Sequence, residues 1–273
     1  MASLLKPAAG RPNFLAQIQT EVKPRPLAVA IFGAAGVGKT STAAHADKPV
    51  VLCDLAERSI GVLAAAHAVP AGVGQLAVNH WEDAIGALTA LAGGGHDFKT
   101  LIVDTLTGMD TLCQAAILQR DFSGSQKEFA SYGKGMAAVG LEFPRFLAGI
   151  DAVRDAGMLV IALCHVAQVI IDPPDAPAYS QWAPALSKNV LTAVSRYVDA
   201  ALHYTPIIAV DSDGKAKGGA LRKFYTGGSP TSAAKNRLGL PATIDAGKTA
   251  AETWEILKKS LNLSADVPAT TSK

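Results

Sequence analysis

A glycine-rich run that ends in a lysine and a threonine is the strongest chemical signal in the sequence. The order of glycines, lysine and threonine matches the phosphate-binding P-loop pattern, and a chance match in a chain of this length is expected on the order of once in a hundred. Glycines let backbone N–H groups converge on phosphate oxygens, and the following helix presents its positive end there. We therefore expect a site for ATP, or a closely similar nucleoside triphosphate, at Gly33, Ala34, Ala35, Gly36, Val37, Gly38, Lys39 and Thr40.

Two hydroxyl residues and a distant aspartate extend this site. Lys39 is expected to neutralise the β- and γ-phosphate oxygens, Thr40 to bind Mg²⁺ through its hydroxyl, and Ser41 to join the nucleotide-binding residues. Asp104 ends an apolar run and is predicted to hold the same Mg²⁺ mostly through water, as a Walker B aspartate does. The structural alternatives are a glycine-rich turn with a solvent-facing lysine, and an aspartate that caps the next helix.

The general base must come from another part of the chain. Thr105 follows Asp104, whereas many ATP-hydrolysing motors have a glutamate in that position to orient the attacking water. A second apolar run, residues 49–54, precedes Glu57, which we predict as the base, with Asp54 as its competitor. An ordinary surface carboxylate is an equal alternative for either residue.

The order of these residues resembles the RecA-type recombinase core, in which a strand after the P-loop helix ends in Asp–x–Glu and the glutamate positions water. In this sequence Asp54 and Glu57 have one residue more between them. The resemblance continues in the apolar run 159–165, which ends in His165 where the family has a γ-phosphate sensor, usually Gln. It implies that His165 donates a hydrogen bond to that phosphate, and a purely structural histidine is the alternative.

A later basic segment resembles the Lys-Asn-Lys segment by which RecA-type proteins reach the ATP of the adjacent subunit. If this role is carried over, Lys235 and Arg237 act in trans and ATP lies at the interface of a homo-oligomer. A solvated basic turn is the alternative.

The resemblance covers roughly residues 27–241 and is greatest to the compact phage RecA-core proteins implicated in single-strand annealing. It implies single-stranded DNA binding, recombination or strand annealing, and a single-strand-binding protein as a further partner.

Two segments correspond in order to the DNA-facing loops of RecA-type cores. The first, residues 121–135, contains the predicted DNA contacts Lys127, Phe129, Tyr132 and Lys134, because aromatic rings stack on bases while lysines follow phosphates. The second, residues 166–187, has little positive charge, so a lid or an oligomer contact is an equal alternative. DNA binding, ATP binding in trans and solubility remain open for the basic residues Lys215, Lys217, Arg222, Lys223, Lys235 and Arg237.

The elements that must position these residues alternate between apolar strands and helix-compatible segments. Strands are predicted at 27–33, 49–54, 100–104, 158–164 and 197–204, and helices at 39–46, 81–91, 109–120, 136–154 and 252–261. Near the C-terminal side, residues 207–210 and 221–226 flank a turn and predict an antiparallel hairpin. The expected fold is an α/β three-layer P-loop NTPase sandwich of RecA-like type, with a mainly parallel sheet and an antiparallel edge hairpin. The core is placed at 27–261, after an arm at 1–26 and before a flexible tail at 262–273.

Composition sets the remaining limits. With 49% hydrophobic and 18% charged residues, the chain is predicted to be globular. Its formal net charge of +2 is too small to argue for nucleic acid or a membrane by itself. The three cysteines have no metal-ligand spacing and no apolar run has membrane-spanning length, so we expect a cytoplasmic protein, in the host cytoplasm if it is phage-encoded.

The alternatives to a DNA-binding ATPase are a nucleotide-gated binding module with little turnover, or a P-loop helicase or packaging motor.

Overall fold

The computed structural model describes residue 18, residues 24–54, residue 57 and residues 59–263. Almost all of the predicted arm and tail lie outside these residues, so both stay predictions. The described strands are β1 (Ala28–Phe32), β2 (Pro49–Asp54), β3 (Gly74–Val78), β4 (Thr100–Asp104), β5 (Leu159–Cys164), β6 (Val166–Ile171), β7 (Tyr179–Pro184), β8 (Ala200–Val210), β9 (Ala216–Tyr225), β10 (Lys235–Asn236) and β11 (Thr243–Asp245). The described α-helices are α1 (Lys39–Ala43), α2 (Ser59–Ala65), α3 (Trp81–Ala92), α4 (Leu106–Phe122), α5 (Gln126–Ala130), α6 (Lys134–Asp155), α7 (Lys188–Tyr197) and α8 (Ala250–Ser260).

The main sheet is mostly parallel. Its order is β11-β9-β8-β1-β5-β4-β2-β3, and the six strands from β8 to β3 are parallel to one another. The strands β1, β2, β4 and β5 are almost wholly buried, as expected for apolar strands that are covered on both faces. Beyond β8, the strands β9 and β11 add in antiparallel orientation, and β10 pairs with β8. The predicted mainly parallel sheet with an antiparallel edge hairpin is therefore confirmed.

Helices cover both faces of this sheet. Alternate residues of β1 enter opposite cores, because successive side chains of a strand point to opposite faces. Ala28, Ala30 and Phe32 pack with residues of α3, α4, α6 and α7. Val29 and Ile31 pack with residues of α1 and α8. This is the predicted three-layer α/β sandwich, and no helix among the described residues is long and apolar enough to cross a membrane.

Several elements differ from the sequence prediction. The strand predicted at 197–204 begins only at Ala200, because Tyr197 ends α7, a helix that was not predicted. The strand β3 was missed because it is an edge strand with a largely exposed central part and lacks a continuous apolar signal. The segment 166–187 is not an open loop: β6 and β7 pair as a second, two-stranded antiparallel sheet.

Candidate nucleotide-binding site

The P-loop leaves the carboxyl end of β1 and leads into α1. Gly36 and Gly38 have φ values of +74° and +103°, a backbone conformation that residues with side chains rarely adopt. Gly33 meets a different constraint, since a Cβ there would lie 2.2 Å from the backbone oxygen of Tyr204 on β8. The three glycines are thus explained by local backbone geometry and close packing, as a loop of the phosphate-binding type requires.

Lys39 lies inside this loop. Only 6% of the residue is exposed, and its Nζ donates hydrogen bonds to the backbone oxygens of Gly33 (2.8 Å) and Ala34 (3.0 Å). Burial lowers the pKa of Lys39, and the nearby negative charge of Asp104 partly opposes this effect. A bound triphosphate would offer the ammonium group anionic partners in place of two carbonyls. The geometry contradicts the alternative of a solvent-facing lysine.

Thr40 and Asp104 meet beside Lys39, as the prediction requires. The Thr40 hydroxyl donates a hydrogen bond to Asp104 Oδ2 (2.8 Å), and Asp104 is 1% exposed. Burial raises the pKa of Asp104 to about 6, although the hydrogen bond from Thr40 acts in the opposite direction. A carboxylate next to a hydroxyl is an oxygen donor set that suits Mg²⁺, and a divalent cation would offset the cost of keeping this charge buried. The two residues therefore fit a Mg²⁺ site.

Thr105 occupies the position in which many motors have their catalytic glutamate. It is buried and is the N-cap of α4, since its hydroxyl oxygen accepts a hydrogen bond from the Gly108 N–H (3.1 Å). The peptide bond between Asp104 and Thr105 is cis. Capping of α4 is therefore done by Thr105, and Asp104 is left facing Thr40.

Glu57 and His165 contact each other at the same edge of the sheet. His165 Nε2 lies 2.5 Å from Glu57 Oε1, and both side chains are partly exposed. The strand β5, which leads to His165, lies between β1 and β4, so His165 follows a strand that separates the P-loop from Asp104. The negative charge of Glu57 is also close enough to Lys39 to oppose slightly the lowering of the Lys39 pKa by burial. The sequence-predicted base and sensor are thus brought together beside the P-loop lysine.

Asp54, the competing candidate for the base, is held by contacts within the fold. Its Oδ1 accepts a hydrogen bond from the Glu57 N–H (3.0 Å). Its Oδ2 lies against Gly108 at the start of α4, where an added Cβ would be only 1.9 Å away. These contacts give Asp54 a structural role, and the assignment of Glu57 as the base stays a prediction.

Lys235 and Arg237 lie at the opposite end of the strands. Lys235 pairs with Ala201 near the start of β8, and the Arg237 N–H bonds the Asp199 oxygen just before that strand. Lys235 Nζ donates hydrogen bonds to carbonyls that end α7, those of Ser195 (2.6 Å) and Val198 (2.5 Å). These contacts give Lys235 a structural role within the chain. Neither residue can reach the P-loop of its own chain, and a role in trans stays a prediction.

The first predicted DNA segment is mostly helical. Lys127 and Phe129 belong to α5, and Lys134 begins α6. The ring of Phe129 packs against Gly135 and lies 5.5 Å from the ring of Phe122, so it is partly buried against the core and is not a free stacking surface. By contrast, 98% of Tyr132 is exposed. Of the two aromatic residues predicted to contact DNA, only Tyr132 presents its ring to solvent.

The segment also lies at the P-loop end of the sheet, which follows from the direction of α6. Glu142 accepts a hydrogen bond from Trp81, just after the carboxyl end of β3, while Arg154 donates to the Pro26 oxygen, just before β1. Thus α6 runs antiparallel to the strands, and its first residue, Lys134, lies beyond their carboxyl ends. Tyr132 and the nucleotide site share this end of the molecule.

The hairpin β6–β7 has several exposed apolar side chains. Ile170, Tyr179 and Trp182 are 76%, 37% and 44% exposed. Trp182 also lines a cavity of about 230 Å³ against the β8–β9 hairpin, together with His203, Thr205, Pro206, Ile207, Ile208, Lys223, Tyr225 and Thr231. Lys223 Nζ lies 4.5 Å above the centre of the Tyr225 ring. This face combines aromatic rings with a cation, without an acidic residue in the cavity lining.

The comparisons with known proteins agree with this geometry at the level of the domain. A family model described as an AAA domain matches residues 25–238, which is most of the chain. No curated protein matches the chain. The match indicates an ATPase domain of the P-loop NTPase type, which agrees with the fold and with the position of the P-loop.

Proposed function

We propose that this chain, which belongs to the AAA domain family, is a Mg²⁺-dependent ATPase that binds single-stranded DNA as a homo-oligomer and promotes recombination or strand annealing. One observation carries the ATPase proposal. At the carboxyl ends of β1, β2, β4 and β5, a buried lysine, a hydroxyl–carboxylate pair and a glutamate–histidine pair lie close to one glycine-rich loop. Family membership supports nucleotide binding, and the remaining steps follow from the chemistry of these groups.

Each residue has a defined task in this mechanism. Lys39 binds β- and γ-phosphate oxygens, while Thr40 and Asp104 would hold Mg²⁺, which would supply neutralising positive charge to the same phosphates. Glu57 orients a water molecule and accepts its proton as the oxygen attacks the γ-phosphorus and the bond to the β-phosphate oxygen breaks. His165 donates a hydrogen bond to the γ-phosphate and loses this partner when phosphate leaves.

Binding of single-stranded DNA is the less direct part of the proposal. It is supported by the exposed ring of Tyr132 at the P-loop end of the sheet, and by the aromatic and basic side chains around Trp182 and Lys223. Such rings stack on bases, and lysines neutralise phosphates. If Arg237 of one copy reaches the nucleotide of the next copy, ATP binding favours assembly, and hydrolysis resets the DNA-bound assembly.

Phosphate release with and without single-stranded DNA tests this proposal, combined with electron microscopy of the protein with an ATP analogue and DNA. We expect DNA-stimulated release and oligomers that require both ligands. Release that is unchanged by DNA, without assembly, would leave the ATPase and remove the DNA function. Tyr132→Ala is expected to weaken DNA binding. Tyr179→Ala removes a less exposed tyrosine ring and is expected to have the smaller effect; equal effects would mean that the position of Tyr132 is not specific.

A second candidate is a nucleotide-gated binding module with little turnover. The contact between Glu57 and His165 favours it, because a carboxylate oxygen that is already engaged by His165 has less capacity left to bind and orient a water molecule. In that case ATP binding alone would drive assembly. Glu57→Gln distinguishes the two functions: an ATPase loses phosphate release, whereas a gated module assembles with ATP as the unchanged protein does.

A further inference from the structure

The β8–β9 hairpin places a tyrosine and an arginine beside the P-loop of the same chain. In this hairpin Tyr204 pairs with Phe224, and Pro206 pairs with Arg222. Tyr204 and Phe224 stack with ring centroids 4.2 Å apart and belong to the core cluster that includes α1. Because side chains alternate along a strand, Arg222 points to the same face as Phe224. This face is the one that borders the P-loop and α1.

Distances confirm that both polar ends reach the loop. A Cβ placed on Gly38 would lie 3.5 Å from Arg222 Nη1 and 3.8 Å from the Tyr204 hydroxyl oxygen. Gly38 is the N-cap of α1 and directly precedes Lys39, which is proposed to bind phosphate. The guanidinium group and the phenol therefore stand next to the part of the loop where phosphate oxygens would be bound.

Within the part of the chain that the structure describes, neither polar end is engaged by a polar side chain. Among the described residues, the Tyr204 hydroxyl has no hydrogen-bond partner and Arg222 forms no ion pair, although Tyr204 is only 1% exposed. Lys217, on the same strand as Arg222, pairs with Asp211 instead (2.9 Å). The hydroxyl oxygen itself is not fully buried, so it is open to a hydrogen-bond partner from outside the chain. An external anion beside Gly38 would satisfy both groups.

The position in the sheet identifies which part of the nucleotide these groups face. The metal residues and the proposed base lie on the β5 and β4 side of β1, where Lys39 is close to Asp104 and Glu57. Arg222 and Tyr204 approach from β8 and β9, on the other side of β1. Thr40 and Asp104 would hold Mg²⁺ and the γ-phosphate on the first side, so the opposite side would face the part of the nucleotide that remains in ADP.

We propose that Arg222 and the Tyr204 hydroxyl form a nucleotide subsite in cis, and that they bind phosphate oxygens of the nucleoside diphosphate portion. The inference rests on the proposed nucleotide site and deepens it. Arginine is suited to this task because its guanidinium group stays charged and forms directed bonds to phosphate oxygens. Interactions of this kind bind substrate and product alike, so they affect nucleotide affinity more than the rate of the chemical step.

Equilibrium binding of ADP and of a slowly hydrolysed ATP analogue tests the inference with the full chain and Mg²⁺. Arg222→Gln is expected to raise the Kd of both nucleotides by about 10-fold or more, and Tyr204→Phe by about 3- to 10-fold, with kcat at saturating ATP changed less than about two-fold. Lys215→Gln removes one positive charge from the same hairpin and serves as the matched control, with no expected change in Kd. Arg222→Lys should restore part of the affinity.

The outcomes separate this subsite from the rest of the site. Unchanged Kd values for both nucleotides in Arg222→Gln, while Lys39→Ala loses binding, would overturn the inference and leave the proposed function. Weaker binding of the ATP analogue alone would also overturn it, because Arg222 would then face the γ-phosphate. A wild-type chain that binds neither nucleotide would overturn both proposals. Thermal unfolding without nucleotide should be equal for wild type and Arg222→Gln, which separates a ligand contact from a structural role.

Discussion

Replacing Asp104 with Asn should stabilise the nucleotide-free protein while it abolishes Mg²⁺-dependent hydrolysis. Asp104 is 1% exposed, and burial raises its pKa from 3.8 to about 6. The folded state therefore disfavours the charged carboxylate, in the way that many functional sites hold groups at a cost in stability. Asn retains the size of the side chain and its ability to accept the hydrogen bond from Thr40, but it has no charge to bury.

The magnitude follows from linkage between protonation and folding. A rise of about two pKa units corresponds to about 3 kcal/mol, since each unit is worth about 1.4 kcal/mol. Because the folded pKa of Asp104 is raised, its stabilising contribution is complete below the unfolded pKa of 3.8 and is lost as the pH rises through about 6. Relative to wild type, Asp104→Asn should thus gain up to about 3 kcal/mol above about pH 7 and almost nothing near pH 4.

Urea denaturation at several pH values, without Mg²⁺ or nucleotide, measures this difference. The matched control is Asp110→Asn, because Asp110 is also buried but accepts hydrogen bonds from the Ser187 N–H (2.6 Å) and from Gln114 (2.9 Å). Loss of its carboxylate should destabilise the fold by about 1–3 kcal/mol. The reasoning is refuted if Asp104→Asn is less stable than wild type at about pH 8, or if its gain does not depend on pH.

Four further substitutions test the packing and the residue assignments. Gly33→Ala should destabilise the fold by about 3 kcal/mol in urea denaturation, because its Cβ would meet the Tyr204 oxygen at 2.2 Å; wild-type stability would contradict the close contact. Phe129→Ala should lower the free energy of unfolding by about 2 kcal/mol, whereas Tyr132→Ala should leave it unchanged and affect DNA binding; equal effects would contradict their different burial. Lys235→Ala should cost about 1 kcal/mol of stability in thermal unfolding by removing hydrogen bonds to the end of α7, and unchanged stability would contradict this structural role.

Much of the fold could be predicted from short-range patterns. The strands β1, β2, β4 and β5 are buried on both faces, so their sequences are continuous apolar runs that stand out without any knowledge of neighbours. The edge strand β3 has no such run, since its central residues are largely exposed. Similarly, the boundary between α7 and β8 falls within a stretch whose composition is compatible with either structure.

The residues of the site likewise fall into two groups: those that a local sequence motif identifies, and those that only long-range strand pairing brings to the site. The P-loop is a local motif, so the sequence alone identifies Lys39 and Thr40, and strand order then brings Asp104 beside them. Arg222 appeared in the sequence only as one member of a basic group. Its position beside Gly38 depends on the register between β8 and β9, which long-range pairing decides. Arg222 and Lys223 are neighbours in sequence, yet they face opposite sides of the hairpin.

The measurement that tests the central claim most directly is an equilibrium titration of the purified chain with Mg²⁺ and ATP, compared with Lys39→Ala. The side chain of Lys39 is buried in the P-loop, where it bonds two carbonyls. We predict saturable, Mg²⁺-dependent binding to the wild-type chain, and affinity at least about 100-fold weaker in the variant, because a buried charge-assisted contact to phosphate is lost. Equal affinity of a folded Lys39→Ala protein for Mg²⁺–ATP would contradict the account.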